Sequence, residues 1–296
     1  MTAPDIVVVG AASRDLQPSD PRGWRLGGGV TYSARLLGQL GLSVGVLMGV
    51  DEAASGAHEL DELRALDVLL ETVPLARGPV FDNRQTAAGR VQIAHGISDP
   101  LPPEALPAAW QVACAYLLNP VAGEIWQVWA DALPGDAVVA LGYQGLLRTI
   151  RPGSPVEARP LRPGPLSHRA DLAAISSEDA RAGAPPLRRL LTREGQRLVV
   201  TEGPQGAMHV HRSAGRLRLR FVPAVPARGG SDATGAGDTF LAAWLAATVM
   251  LPRSDDPRGL ALAALCASLL VEGNGISRSA IRERLAEIRR PDAEQN

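Results

Sequence analysis

Short apolar runs alternate with helical patterns along most of the chain, and this alternation narrows the fold more than any other feature. Residues 6–9 are a β-branched run that ends at Gly10, the pattern of a buried strand delivering a loop at its carboxyl end. After Gly27-Gly28-Gly29, residues 32–40 carry apolar side chains at helical spacing, and Gly41 supplies a C-terminal stop. Residues 44–48, 115–118, 137–141, 171–175 and 198–201 read as further strands, with a helix expected over 125–133. Strands and helices in this order predict an α/β fold: a doubly wound, mostly parallel sheet with helices on both faces. Residues 207–210 and 217–222 predict an antiparallel pair, and 240–250 and 260–271 predict two strongly apolar, buried helices. Residues 80–97 differ, because Arg84, Thr86, Arg90, Gln92 and His95 are interleaved with smaller side chains, which predicts a polar-faced hairpin. Five prolines and two glycines in 151–165 mark an exposed connection, so one domain over 1–296 is expected.

Composition removes several function classes. The 30 basic and 31 acidic side chains nearly cancel, so nothing draws the chain as a whole to nucleic acid or to an anionic membrane. A small-molecule partner is the expectation. All the basic residues are arginine; the sequence contains no lysine. A P-loop needs its lysine on the β/γ-phosphates, a protein kinase needs its strand lysine, and a pyridoxal enzyme needs an amine, so all three are excluded. Cys114 and Cys266 form neither a disulfide framework nor a metal cluster, which fits a reducing cytoplasm. No apolar run approaches the roughly 18 residues that suggest a membrane span.

The segment that carries chemistry is Asp232-Ala233-Thr234-Gly235-Ala236-Gly237-Asp238-Thr239-Phe240, a small-residue loop running into an apolar helix. The first turn of a helix holds unpaired N–H groups and the positive end of the dipole, and glycine lets an anion approach that backbone closely. Phosphoryl transfer also needs a base beside the acceptor hydroxyl, and Asp238 is a carboxylate in the right place. The alternative is that Asp238 only complements the dipole while Gly235 and Gly237 only make a turn. Dinucleotide binding is disfavoured because Phe240 stands where the third glycine of G-x-G-x-x-G belongs. His209 and His211 share a strand face but have no third ligand nearby in the sequence, and are read as structural. Trp126 and Trp129 are read as packing.

D-A-T-G-A-G-D-T-F resembles the C-terminal signature of the ribokinase-like (PfkB) carbohydrate kinases. V-V-V-G-A-A-S-R-D near the start, the glycine pair before a helix ending L-G, and V-T-E-G-P-Q-G at 200–206 follow that family's order. The resemblance implies an α/β domain with a small β lid, ATP along the C-terminal half, and an alcohol substrate between sheet and lid. It implies Asp238 as general base, with the amides of Gly235, Ala236 and Gly237 as an anion hole. Asp15, Gly27 and Gly28 match substrate-binding positions, and Thr201, Gly203 and Gly206 match the loop lining the nucleotide. Asp232 and Thr234 match positions that help bind a monovalent cation such as K+.

The departures bear on substrate and metal. The family's N-x-x-E, which organises Mg2+, falls on Ser176 to Asp179, so Asp179 takes the acidic position with a shorter side chain. A substrate asparagine falls on Tyr32, another on Ser13, and one on the nucleotide side on Ala264, which puts ribose in doubt. Only eleven residues separate Asp15 from Gly27, so a reduced lid made mainly from 80–97 is expected. That short start, with G-Y-Q-G-L-L-R and I-S-S-E-D-A, is similar to the subgroup that includes plant myo-inositol kinases. Arg148 could reach a phosphate or be a surface arginine, and Asn119 could contact substrate or turn the chain before Pro120. The expectation is an ATP- and Mg2+-dependent sugar or polyol kinase; a nucleoside kinase and a non-catalytic sensor of the same fold are the alternatives. A lid short of strands offers little edge to share, which favours a monomer over a homodimer.

Overall fold

The computed structural model describes residues 3–86, 89–230, 232–250, 256–273 and 275–288. The chain enters the core through β1 (Ile6–Ala11), whose six residues are all buried. It then leaves the core for a short ribbon, β2 (Ser13–Leu16) and β3 (Trp24–Gly27), before helix α1 (Gly29–Gln39). Gly41 ends that helix at φ +65°, the left-handed stop expected there. β4 (Val44–Val50), β5 (Leu69–Pro74), β6 (Val80–Thr86), β7 (Gly89–Gly96), β8 (Ala115–Leu118) and β9 (Val138–Gly142) follow. Three two-residue strands come next: β10 (Arg148–Thr149), β11 (Ser154–Pro155) and β12 (Glu157–Ala158). The C-terminal part holds β13 (Leu172–Ser176), α2 (Ser177–Gly183), β14 (Arg197–Thr201), β15 (Ala207–Ser213) and β16 (Arg216–Val222). Helices α3 (Ala236–Met250), α4 (Asp256–Val271) and α5 (Arg278–Ile288) complete it.

Nine strands form the main sheet in the order β16-β15-β14-β13-β9-β8-β1-β4-β5. β5 through β14 pair in parallel, and β15 and β16 add an antiparallel edge, as the sequence predicts. One face packs against α1, α3 and α4 through Leu36, Leu37, Leu241, Trp244 and Leu265; the other packs Trp110, Trp129, Tyr143, Leu166 and Leu190. Both faces are covered, which is why the parallel strands read as continuous apolar runs. Chain order reverses at β1, whose neighbours are β4 and β8, and α/β sheets bind ligands in the crevice beyond such a point. Fully buried Glu124 clamps it, accepting the N–H groups of Ala11, Val121 and Ala122 at 3.1, 2.9 and 2.8 Å.

The second sheet, in the order β11-β7-β6-β2-β3, is larger than the sequence suggests. The eleven residues between Asp15 and Gly27 leave room for a ribbon, and it joins the antiparallel pair β6 and β7 through parallel pairing of β2 with β6. Polar contacts seat this ribbon on the main domain. Arg14 donates to Asp51 at 2.8 Å, Arg22 to Glu59 at 2.7 Å, and the N–H of Leu26 to Glu59 at 3.0 Å. The helix expected over 125–133 shrinks to Trp129–Ala132, and Trp129 is buried and donates to the carbonyl of Leu101. Among the described residues no helix is long and apolar enough to cross a membrane.

Candidate active site

The carboxyl ends of the parallel strands open into a cavity of about 520 Å³ between the main sheet and the lid. A second cleft of about 540 Å³ lies beside β16, α4 and α5, lined by aliphatic groups such as Val225, Leu260 and Leu285 together with Arg220, Arg228, Arg284 and Glu287. Most of the polar residues singled out from sequence line the first. Asp15 from the ribbon, Gly29 and Tyr32 from α1, Arg148 from β10, Thr201 from β14 and Asp238 from α3 all line it.

The floor is built from glycines, each for its own reason. Gly28 takes φ +89° where its Cα lies against the carbonyl of Ala11, a Cβ there falling 2.7 Å from that oxygen. A Cβ at Gly27 would stand 2.4 Å from Oδ2 of Asp15, and one at Gly29 would stand 2.5 Å from Oδ1 of Asp238. Both carboxylates therefore lie flat on the backbone that opens α1. Opposite them, Gly235 takes φ +82° with the ring of Tyr32 packed where a Cβ would be, 2.3 Å away. The first i to i−4 bond of α3 is from the N–H of Thr239 to the carbonyl of Gly235 at 2.9 Å, so the amides of 235–238 precede the helical ladder. Ala236 uses its N–H to close the turn onto the carbonyl of Ala233 at 3.1 Å.

Asp238 meets the cavity from the first turn of α3. Burial pushes its carboxyl up to about 6; the guanidinium of Arg148 and the residue's own N–H pull the other way, and Asp15 adds to the rise. Ser33 donates to the carbonyl of Asp238 at 3.4 Å and accepts from Nδ2 of Asn119 at 2.8 Å. On the lid side, Arg148 donates to Gln92 at 2.8 Å, and Gln92 donates to Asn83 at 2.8 Å. Ser13 donates to Asp15 at 2.8 Å. At the other end, the N–H of Asp179 donates to Oγ of Ser176, which donates back to Oδ2 of Asp179 at 2.9 Å, a cap that fixes the start of α2.

The family model for pfkB family carbohydrate kinases matches residues 169–282. The chain has a ribokinase-like fold, and its C-terminal part is similar to the pfkB family carbohydrate kinases. No curated protein sequence matches it. Solved structures with the ribokinase-like fold do, at 18–20% identity. A pyrophosphate-dependent kinase in the ribokinase family, complexed with a pyrophosphate analog and myo-inositol, is 19% identical with a TM-score of 0.71, over 95% of this chain and 99% of that one. The nucleoside kinase of Methanocaldococcus jannaschii is 18% identical with a TM-score of 0.68, over 97% and 100%. The ribokinase of Arabidopsis thaliana, solved with ribose and ATP, is 20% identical with a TM-score of 0.67, over 96% and 99%. One is solved with myo-inositol, one is a nucleoside kinase and one is solved with ribose, so the shared fold leaves the acceptor open.

In this ribokinase-like frame most residues singled out from sequence converge. Asp15, Gly28, Arg148, Asp179, Thr201 and Gly203 line the cavity together with Thr234 and 235–238. Gly27 supports Asp15 from beneath. Three residues sit elsewhere. Gly206 is off the cavity surface, its Cα against the carbonyl of Val222 at φ +98°. Asn119 is 2% exposed and donates to the carbonyl of Gly29 and to Ser33, which puts it behind the floor instead of on it. Asp232 lies on the rim, where Oδ2 accepts from Arg25 at 2.6 Å and Oδ1 accepts the N–H of Thr234 at 2.9 Å. The anion hole expected from three amides has that of Ala236 committed to its turn. His209 is buried against Trp244, and among the described residues no group of three or more His, Cys, Asp or Glu could hold a metal by itself. From sequence, Gly29, Asn83, Glu178 and Arg25 receive no site role, and Gln92 is marked only as part of a polar hairpin face. Gly29 had a visible signal as the third glycine of a run; the others are polar residues of kinds that usually face solvent.

Proposed function

We propose that the protein transfers a phosphoryl group from a metal-bound donor to a hydroxyl of an uncharged sugar or polyol, with Asp238 as general base. The observation that carries this reading is Asp238 itself, held on the backbone of Gly29 at the first turn of α3, facing a lid of amides across one cavity. Asp15 and the pair Asn83 and Gln92 offer acceptors and donors suited to several hydroxyls at once. Arg148 is accompanied in the lining by Asp15, Glu157, Glu178, Asp179 and Asp238, so an acceptor that already carries a phosphate would meet net negative charge. That supports a neutral acceptor. A base to be stacked finds little here: the aromatic lining residues Tyr32, Phe81 and Tyr143 are 9%, 3% and 1% exposed, which favours a polyol such as an inositol over a nucleoside.

Hard oxygen donors at the start of α2 fit a Mg2+ ion carried in with phosphate oxygens, with Asp179 and Glu178 as the residues that would hold it. The ion would neutralise phosphate charge. Asp238 takes the hydroxyl proton at its carboxylate, the amides of Gly235 and Gly237 donate to the anion, and Arg148 adds positive charge from β10. ATP is the first reading for the donor. Inorganic pyrophosphate is the second. The likeness to a pyrophosphate-dependent kinase supports it.

The test is a matrix of two donors, ATP and pyrophosphate, against polyols, sugars, sugar phosphates and nucleosides, read as phosphorylated product. Turnover of a neutral polyol or sugar is expected; product from nucleosides alone, or from none, would sink the reading. The pH dependence follows from the raised carboxyl. A base that holds its proton below about 6 is competent above that pH, so kcat/KM should plateau above it and fall about tenfold per unit below. An acid limb centred near the ordinary aspartate value would remove Asp238 from the role.

A further inference from the structure

The resemblance assigns Asp232 and Thr234 to a monovalent cation, but the residues around them do not fit one. Arg25 holds Oδ2 of Asp232 at 2.6 Å, and the N–H of Thr234 holds Oδ1 at 2.9 Å. Both oxygens of Asp232 are therefore already taken, one by a guanidinium and one by a backbone N–H. Arg25 comes from β3, directly across the ribbon from Asp15 in the register Asp15↔Arg25. Its Nε is buried and has no hydrogen-bond partner among the described residues. The bond from Thr234 back to Asp232 closes the turn that leads into Gly235, whose backbone rests on Tyr32. One guanidinium therefore connects the lid strand of Asp15 to the loop that feeds the first turn of α3.

We infer that Arg25 is a positioning residue whose fixed guanidinium supplies the positive charge beside the phosphate loop, so that the reaction runs without an exchangeable monovalent cation. The inference rests on the kinase reading, but part of its test does not. The ion pair is partly exposed, at 34% and 53% for the two side chains, and pairs of this kind add little to global stability. Its effect is local: it fixes the turn at 232–235, and misplacing a reacting group by about 1 Å costs about 100-fold in rate.

The experiment compares the wild type with Arg25→Gln and Arg25→Lys in buffers holding K+, Na+ or tetramethylammonium, with and without added guanidinium chloride at non-denaturing concentration. The wild-type rate should be the same in all three buffers. Arg25→Gln should lose about 100-fold in kcat with a smaller change in KM, and regain part of it with guanidinium or K+. Hydrogen exchange at the amides of 234–237, followed without any substrate, should speed up in Arg25→Gln and slow again with guanidinium. A wild type stimulated several-fold by K+ overturns the inference, as does an Arg25→Gln variant with unchanged kcat and unchanged exchange. Loss that guanidinium, K+ and Arg25→Lys all fail to reverse assigns the side chain to the fold and overturns it as well. A wild type that phosphorylates nothing sinks the kinase reading alone, because the exchange measurements still decide whether Arg25 holds the loop.

Discussion

Asp238→Asn is expected to lose turnover by about a thousandfold, within the range that a general base contributes, while acceptor and donor still bind. Asparagine keeps the shape and the hydrogen-bonding reach of the side chain but cannot take a proton, so the variant isolates the chemistry from the packing. Stability moves the other way. The carboxyl is raised from 3.8 to about 6 by burial, so ionising it in the folded protein is harder than in the unfolded chain. Above about pH 6 the charged form works against folding, and the neutral amide removes that cost. The thermal midpoint of Asp238→Asn at pH 7 should therefore hold or rise as activity disappears. Calorimetric titration with the acceptor checks the first half and a melting curve the second; wild-type-like turnover would end the assignment of Asp238 as base.

The fold and the centre of the site were legible for one physical reason. Parallel strands buried on both faces must be apolar throughout, so 6–9, 115–118 and 198–201 announce themselves, and a phosphate loop at a helix start must be made of small residues. The ribbon at 13–16 and 24–27 carried no such mark. Ser13-Arg14-Asp15-Leu16 shows a two-residue alternation over four positions only, and Trp24-Arg25-Leu26-Gly27 is held by side chains far away in sequence, Glu59 and Asp232 among them. Charged residues are ordinarily read as solvated, and for Glu124 the reading fails because three backbone N–H groups replace water around its carboxylate. Asn119 fails in the opposite direction. A polar residue at a strand end reads as a ligand contact or a turn, whereas here its Nδ2 links α1 to the backbone of Asp238 through Ser33. Local pattern locates the strand ends; which side chain reaches the cavity is decided by tertiary neighbours that the pattern does not contain.

Gly29 offers the sharpest separation of geometry from chemistry. Its φ is not in the left-handed region, so alanine meets no conformational penalty there and acts through space alone. That space is taken. The new methyl carbon would lie 2.5 Å from Oδ1 of Asp238 and 2.9 Å from Cβ of Asn119, with the side chain of Asn119 on one side and the carboxylate on the other. Asn119 is buried and tied to Ser33 and to the carbonyl of Gly29, so the carboxylate is the group free to yield, and it yields toward the cavity. Gly29→Ala should therefore cost about 1–3 kcal/mol of stability, as overpacking does, and about 100-fold in kcat, as a displaced base does. Combined with Asp238→Asn, the same substitution should cost almost nothing further in rate, since a base already lost cannot be displaced. If the double variant instead falls another 100-fold below Asp238→Asn, the methyl acts on acceptor binding and not on the carboxylate, and the contact between Gly29 and Asp238 does not set the rate.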